Sequence, residues 1–140
     1  MIVRALMTEN PVTVPPDTSV TTARALMAEH RIRHLLVTEH DRLVGIVTDR
    51  DIRSSLPSRA TSLSVWEMNY LVAKLAVGKV MTRTVITIDP ERPAREAAFI
   101  MLDHKIGALP VVAGERLVGI LTESDLVRAF AMSEHPAGIR

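Results

Sequence analysis

Two short motifs in this chain combine residue types that can bind a nucleotide. Both read Gly-x-x-Thr-x-x-Asp, and their members are Gly45, Thr48 and Asp51, then Gly119, Thr122 and Asp125. If a helix begins at the threonine, its free N–H groups and positive dipole end attract a phosphate, to which the hydroxyl adds a hydrogen bond. An aspartate one turn later accepts hydrogen bonds from the vicinal hydroxyls of a ribose. The spacing therefore fits a nucleotide.

The same spacing also has an interpretation that needs no ligand. A threonine at the N-cap and an aspartate three residues later form a capping arrangement, in which the two residues satisfy each other's backbone groups. Residue types alone leave both interpretations open. Both predict that a strand gives way to a helix at Thr48 and at Thr122.

The motifs belong to two copies of a longer pattern. A shift of 74 positions aligns the sequence with itself without a gap from Val3 to Asp51, and residues 42–46, Arg-Leu-Val-Gly-Ile, recur whole as residues 116–120. The identical pairs include Met7/Met81, Thr8/Thr82, Thr13/Thr87, Pro16/Pro90, Ala23/Ala97, Met27/Met101, His30/His104, Ile32/Ile106, Leu35/Leu109 and Val37/Val111. Such self-similarity indicates a duplication.

Each copy predicts the order β-α-β-β-α, and hence an α/β fold made of two repeats. β-Branched runs predict the strands, apolar residues at helical spacing predict the helices, and paired apolar runs predict a hairpin. The first strands are predicted at 12–14 and 85–88. The first helix of one copy is capped by Thr18 or Ser19, and that of the other has Pro93 at its first helical position. Hairpins are predicted within 35–47 and 109–121, and second helices at 49–56 and 123–131. A copy of about 60 residues buries little surface alone, so the copies should pack together.

A connecting helix is expected between the copies. Ser64 and Glu67 have the spacing of a capping box, which predicts a helix to about Ala76. Trp66 and Tyr70 share one face of it, where core or interface packing is favoured over a ligand platform. The predicted organisation is repeat 1 at 1–60 with a polar loop at 58–61, a connecting helix at 61–76, repeat 2 at 77–134 and a tail at 135–140.

Composition excludes several classes of protein. Seventeen Lys and Arg against sixteen Asp and Glu leave a charge of +1, so no general attraction to nucleic acid or to a membrane is expected. The absence of cysteine excludes disulfides and thiolate chemistry. The N-terminus has no apolar signal segment and no apolar run reaches membrane-spanning length. We therefore expect a soluble cytoplasmic protein.

Catalytic and metal-binding patterns are missing. The sequence has no Gly-x-Ser-x-Gly, His-Glu-x-x-His or P-loop motif, so we expect no enzyme and no required cofactor. His30 and His104 occupy equivalent positions and could suggest a metal. A histidine near a helix C-terminus more often interacts with the helix dipole, so we expect no metal site.

The whole pattern resembles a pair of CBS domains, the Bateman module, from about Val3 to Phe130. The resemblance rests on the openings Met7-Thr8 and Met81-Thr82, the segments 33–37 and 107–111, and both Gly-x-x-Thr-x-x-Asp motifs, all in order and twice. Thr48-Asp49-Arg50-Asp51 and the connecting helix make the chain similar to stand-alone CBS pairs grouped with acetoin-utilisation accessory proteins.

This resemblance implies a regulatory module that holds AMP, ADP, ATP or S-adenosylmethionine in clefts between two repeats packed with pseudo-twofold symmetry. Thr48 and Asp51 would serve one cleft and Thr122 and Asp125 the other. Val12 and Ile86 would contact the adenine base. Arg33 and His34 would assist phosphate in the Thr122 cleft, whereas the matching positions in the Thr48 cleft are Gly107 and Ala108. Phosphate in the Thr48 cleft would therefore depend on Arg50, whose counterpart in the other motif is Ser124. The two clefts are therefore expected to be unequal.

Two functions from different classes fit these expectations. The first is a sensor that binds an adenosyl ligand and passes its bound state to a protein partner. The second is a ligand-free module for dimerisation and partner docking, in which the motifs serve only as helix caps. A homodimer is expected in either case, with Trp66, Tyr70 and Leu71 of the connecting helix as possible contributors.

Overall fold

The computed structural model describes residues 1–56 and 62–133. The predicted loop at 58–61 and the predicted tail at 135–140 lie outside the described residues. The elements are α1 (Val3–Leu6), β1 (Thr8–Glu9), β2 (Thr13–Val14), α2 (Val20–His30), β3 (His34–Glu39), β4 (Arg42–Thr48), α3 (Asp49–Ser55), α4 (Val65–Lys74), a 3-10 turn (Val77–Lys79), α5 (Ala94–His104), β5 (Ala108–Ala113), β6 (Arg116–Thr122) and α6 (Glu123–Ser133).

The chain forms two compact units, each with its own sheet. The first unit comprises residues 12–85, and the second unit comprises residues 1–11 and 86–140, described to residue 133. The first unit has the strand order β2-β3-β4 and the second unit has β1-β6-β5. This confirms the α/β class and the two repeats, each with a three-stranded sheet and helices. The pseudo-twofold packing of the repeats stays a prediction.

The units exchange their opening segments relative to the sequence repeats. β1, from the start of the first repeat, pairs with β6 of the second unit, where Thr8 lies opposite Ile120. At the equivalent place in the first unit, Thr82 pairs with Ile46 through hydrogen bonds of 2.8 and 3.0 Å. Each sheet is thus completed by a segment that the sequence repeat assigns to the other copy.

The glycine of each Gly-x-x-Thr-x-x-Asp motif permits this exchange. A Cβ added at Gly45 would lie 2.9 Å from Cγ of Met81 and 3.0 Å from the carbonyl oxygen of Thr82. At Gly119 the same atom would lie 2.7 Å from Sδ of Met7 and 2.8 Å from the carbonyl oxygen of Thr8. A side chain has no room at either position, so these glycines allow the close approach of a second backbone.

Separate hydrophobic cores hold the two units. In the first unit α2, β3, β4 and α3 bury a cluster around Leu35, Val37 and Ile52, against which Val72 and Leu75 of the α4 region also pack. In the second unit the cluster comprises Val3, Ile88, Ala97, Met101, Leu109, Val111 and Leu121. Alternate residues of β3, Leu35 and Val37, and of β5, Leu109 and Val111, belong to these cores, as the two-residue period of a strand requires.

The first strand predicted for the second repeat is not formed, so this prediction was wrong. Residues 85–88 form no strand, and only Ile88 makes a bridge, to Val111. The reason lies in β5, where Pro110 stands in the position that Leu36 occupies in β3. Thr13 pairs with Leu36 in the first unit, whereas proline has no N–H to donate to the equivalent pair.

Helix boundaries were predicted closely but not at every residue. Ser19 caps α2 by accepting a hydrogen bond from the N–H of Thr22 at 3.1 Å. Pro93 is the N-cap of α5 and not its first helical residue, and α4 ends at Lys74 rather than at Ala76. Within the described ranges, no helix is both long enough and apolar enough to cross a membrane.

Candidate functional site

Each Thr-x-x-Asp segment forms a capping box at the junction of a strand and a helix. In the first unit the N–H of Asp51 donates to Oγ1 of Thr48 at 3.0 Å, and the N–H of Thr48 donates to Oδ2 of Asp51 at 2.9 Å. In the second unit the corresponding bonds between Thr122 and Asp125 measure 3.3 and 2.9 Å. The capping interpretation of the motif is confirmed at both places.

Capping leaves binding capacity on both side chains. Each threonine hydroxyl accepts one hydrogen bond and keeps its proton to donate, and each carboxylate uses Oδ2 and keeps Oδ1. Oδ1 of Asp125 receives one further bond, from Nη1 of Arg128 at 3.3 Å. The two interpretations are therefore compatible, because the capping box fixes the rotamers of the groups that a phosphate and a ribose would need.

The first strand of each hairpin brings a second set of residues to each motif. His34 lies opposite Thr48 across β3 and β4, and Ala108 lies opposite Thr122 across β5 and β6. The first N–H of each following helix donates to the carbonyl of the residue before the hairpin. The N–H of Asp49 donates to the carbonyl of Arg33, and the N–H of Glu123 donates to the carbonyl of Gly107. Both bonds measure 3.0 Å. The two motifs thus have the same backbone frame.

The side chains on this frame differ between the units. The first unit has the guanidinium groups of Arg33 and Arg50, both exposed, and the half-buried imidazole of His34. The equivalent positions in the second unit are Gly107, Ser124 and Ala108, and Ala108 is buried. The carboxylates differ as well, since Asp125 is 9% exposed and Asp51 is more accessible. The expectation that Arg33 and His34 assist the Thr122 motif stays a prediction.

The residues expected to contact the adenine base pack beside the hydrophobic core of each unit. Val12 precedes β2 and packs, partly buried, against the core of the first unit. Ile86 has the equivalent position beside the core of the second unit. The contact of either residue with a ligand stays a prediction.

The histidines that suggested a metal are at helix ends. His30 and His104 are the last residues of α2 and α5, and the residues that follow them, Arg31 and Lys105, are left-handed C-caps. Among the described residues, no group of three or more His, Cys, Asp or Glu side chains could hold a metal ion.

Known structures with a similar fold include two that hold adenosyl ligands. The CBS domain pair of MJ0100 in complex with 5′-methylthioadenosine and S-adenosyl-L-methionine has a TM-score of 0.79 and 29% identity, covering 96% of this chain and 98% of that one. CBSX2 in complex with AMP has a TM-score of 0.80 and 33% identity, covering 95% and 98%. AcuB, a putative acetoin utilisation protein of Vibrio cholerae, has a TM-score of 0.79 and 33% identity, covering 96% and 93%.

Some relatives are much longer proteins. The L-aspartate semialdehyde sulfurtransferase of Methanocaldococcus jannaschii is 32% identical over 131 residues, which are 92% of this chain and 23% of the relative. The chain thus spans about a quarter of the length of the first curated relatives that it matches.

The family model of the CBS domain matches residues 3–58 and 77–132. These ranges contain both capping boxes and leave α4 between them. The resemblance inferred from the sequence is therefore confirmed, and the chain belongs to the CBS domain family.

Proposed function

We propose that this chain is a regulatory module that binds an adenosyl ligand at its Thr-x-x-Asp capping boxes. The observation that carries the proposal is the hydrogen-bonding capacity left at the first turn of each helix. Each threonine keeps its hydroxyl proton, and each aspartate keeps lone pairs on Oδ1, one of which accepts from Arg128 at Asp125. The same kind of ligand is present in the complexes of MJ0100 and CBSX2. AMP, ADP, ATP and S-adenosylmethionine are the candidates, and no catalytic step and no required cofactor are proposed.

The threonine and the aspartate have different roles in this proposal. The threonine hydroxyl donates to a phosphate oxygen, or to the group that replaces phosphate in S-adenosylmethionine, while the helix dipole favours negative charge. The aspartate accepts from the ribose hydroxyls through Oδ1. Val12 and Ile86 contribute aliphatic surface for the adenine. The ligand favours one conformation of the repeats, and a protein partner that binds the two conformations with different affinity detects whether the ligand is bound.

The two motifs should bind unequally. Arg33, His34 and Arg50 belong to the unit of Thr48 and Asp51, and a charge-assisted hydrogen bond contributes about 1.5–3 kcal/mol. We therefore propose that the Thr48 motif takes the more highly phosphorylated ligand. The prediction made from the resemblance, which gave Arg33 and His34 to the Thr122 motif, is the alternative that the following titration distinguishes.

Calorimetric titration of the four ligands tests both statements. We expect Asp51→Ala to weaken ATP binding more than Asp125→Ala does, because Asp51 belongs to the motif whose unit carries Arg33, His34 and Arg50. Asp49→Ala is the matched control, because it removes a carboxylate from the same first turn without touching the capping box. The reverse order of the two aspartate variants would restore the sequence-based assignment, and equal losses would contradict the asymmetry.

Thermal unfolding gives an independent measurement. A ligand that binds only the folded state adds RT ln(1 + [L]/Kd), about 2.7 kcal/mol at a hundredfold excess over Kd. No heat and no shift in melting temperature with any of the four ligands at millimolar concentration would overturn the sensor function and leave the ligand-free docking module.

We also propose a homodimer in the cytoplasm. Large apolar side chains are exposed on α4, α5 and α6, and a closed twofold contact is the commonest way in which soluble proteins cover such faces. The absence of cysteine fits a reducing compartment. Light scattering should give about twice the chain mass of 15.4 kDa. A mass near 15.4 kDa at micromolar concentration, with and without ligand, would contradict the dimer.

A further inference from the structure

One face of α4 is exposed and rich in aromatic residues. At 100° per residue, Trp66, Tyr70 and Lys74 fall on one stripe, with Glu67 and Leu71 beside it. Trp66 is 84% exposed and Tyr70 is 60% exposed. A shallow groove of about 440 Å³ lies on this face.

The opposite face of α4 packs against the core of the first unit. Val72 and the following Leu75 pack against the core of the first unit, and none of the helix's residues is fully buried. The helix is nevertheless well formed, because Ser64 and Glu67 make a complete capping box at its N-terminus. The attached face fixes the orientation of the exposed one.

α4 belongs to neither repeat. It lies between the two matched segments, 3–58 and 77–132, so the repeat fold does not explain its exposed side chains. Tryptophan and tyrosine are the residues most enriched at the centres of protein interfaces, where they carry much of the binding energy. This composition indicates an interface.

Two charges on the face are arranged for pairing with an identical helix. Glu67 and Lys74 stand at equal distances from the midpoint between Tyr70 and Leu71. A twofold axis through that midpoint would bring Glu67 of each copy next to Lys74 of the other, whereas parallel helices would place like charges together. Nζ of Lys74 lies 4.4 Å from the centre of the Tyr70 ring, which holds the ammonium group on this face.

We propose that α4 is the surface on which the second copy docks, with the two helices antiparallel about an axis between Tyr70 and Leu71. The aromatic residues would form the centre of the contact, and the Glu67 and Lys74 pairs would form its polar rim. The inference rests on the proposed homodimer and names its interface.

Sedimentation equilibrium of single variants tests the surface. We expect Trp66→Ala to raise the dissociation constant of the dimer at least tenfold, as for a central interface tryptophan. Phe99→Ala tests the other exposed apolar face, on α5, and we expect it to raise the dissociation constant less than Trp66→Ala does. A monomeric wild-type chain would overturn the proposed dimer itself. A dimer weakened by Phe99→Ala and not by Trp66→Ala would overturn only the α4 surface.

Charge variants test the orientation. Lys74→Glu should weaken the dimer because it opposes two carboxylates, while Lys105→Glu, with the same change in net charge, should not. Adding Glu67→Gln to Lys74→Glu should recover much of the loss, since glutamine removes the repulsion and still serves at this position of a capping box. No recovery would contradict the Glu67–Lys74 pairing.

Engineered cysteines give a direct readout, because the chain has none of its own. Leu71→Cys lies near the proposed axis and should form an intermolecular disulfide under mild oxidation. Lys74→Cys should not, since antiparallel helices separate the two copies of residue 74 by about 10 Å along the axis, beyond the roughly 7 Å that a disulfide spans. Efficient cross-linking of Lys74→Cys without Leu71→Cys would overturn the antiparallel arrangement.

Discussion

The outer helices of the two units differ far more than their cores do. The core positions Leu35 and Val37 of the first unit recur unchanged as Leu109 and Val111 of the second. On the outside, the alanines at positions 25 and 28 of α2 correspond to Phe99 and Leu102 of α5, which are 59% and 73% exposed.

This difference separates two kinds of constraint on a duplicated chain. A packed interior tolerates few changes of volume, so equivalent core positions keep their residue or exchange one aliphatic side chain for another, as Val47 and Leu121 do. An outer face is free to change, and a change toward large apolar residues has a cost in solubility unless something covers them. The helix α5 therefore has an exposed apolar face that its counterpart α2 lacks, although both units have the same frame.

The largest change in stability is expected from substitutions in the two cores. Leu35→Ala and Leu109→Ala should each lower the free energy of unfolding by about 2–5 kcal/mol, because both side chains are fully buried. Leu102→Ala, on the exposed face of α5, should change it by less than about 0.5 kcal/mol. Urea unfolding measures all three. A clear difference between the two core variants would show that the cores are not equivalent.

The motif glycines give the next largest effect. Gly45→Ala and Gly119→Ala should each cost about 1–3 kcal/mol, because the new methyl group meets the exchanged segment. The cost should be larger at Gly119, where a backbone carbonyl lies closer, than at Gly45.

A double-mutant cycle with Met81→Ala sharpens this prediction. Removing the Met81 side chain should recover part of the loss in Gly45→Ala, because Met81 is the side chain that the new methyl group would meet. Strict additivity of the two changes would contradict the proposed clash.

The smallest loss of stability is expected from removing the threonine caps of α3 and α6. Thr48→Ala and Thr122→Ala should each cost about 1 kcal/mol, and Thr→Ser at either position should restore most of it. The bond at Thr48 is shorter than the one at Thr122, 3.0 against 3.3 Å, so Thr48→Ala should cost slightly more. Chemical denaturation without ligand measures this, and no loss in either variant would contradict a stabilising role for the capping boxes.

Local patterns predicted most of the elements correctly. Helical spacing and capping residues located the helices, and the paired apolar runs located both hairpins. The strand at 85–88 was predicted wrongly because its existence depends on a distant partner. Its own β-branched residues favour extension, but Pro110 in the neighbouring strand removes the N–H that a second ladder pair needs.

The exchange of segments could not be inferred from periodicity. Met7-Thr8 and Met81-Thr82 open their repeats in sequence, and nothing in their own residue types assigns them to the other sheet. The available signal was the glycine inside each strand, which marks a close approach of another backbone. At the candidate site, the residue types predicted both the cap and the ligand chemistry, and the hydrogen bonds showed that one residue pair can serve both.

The exchanged segments also constrain how the protein is made on the ribosome. Residues 12–85 contain everything that the first unit needs, so this unit can close while the later half of the chain is still being synthesised. The eleven residues that emerged before it must wait, because β1 finds its partner only when β6 has been translated. A nascent chain therefore carries residues 1–11 without their strand partner until β6 has been translated, which makes translation speed and early chaperone contact relevant to its yield.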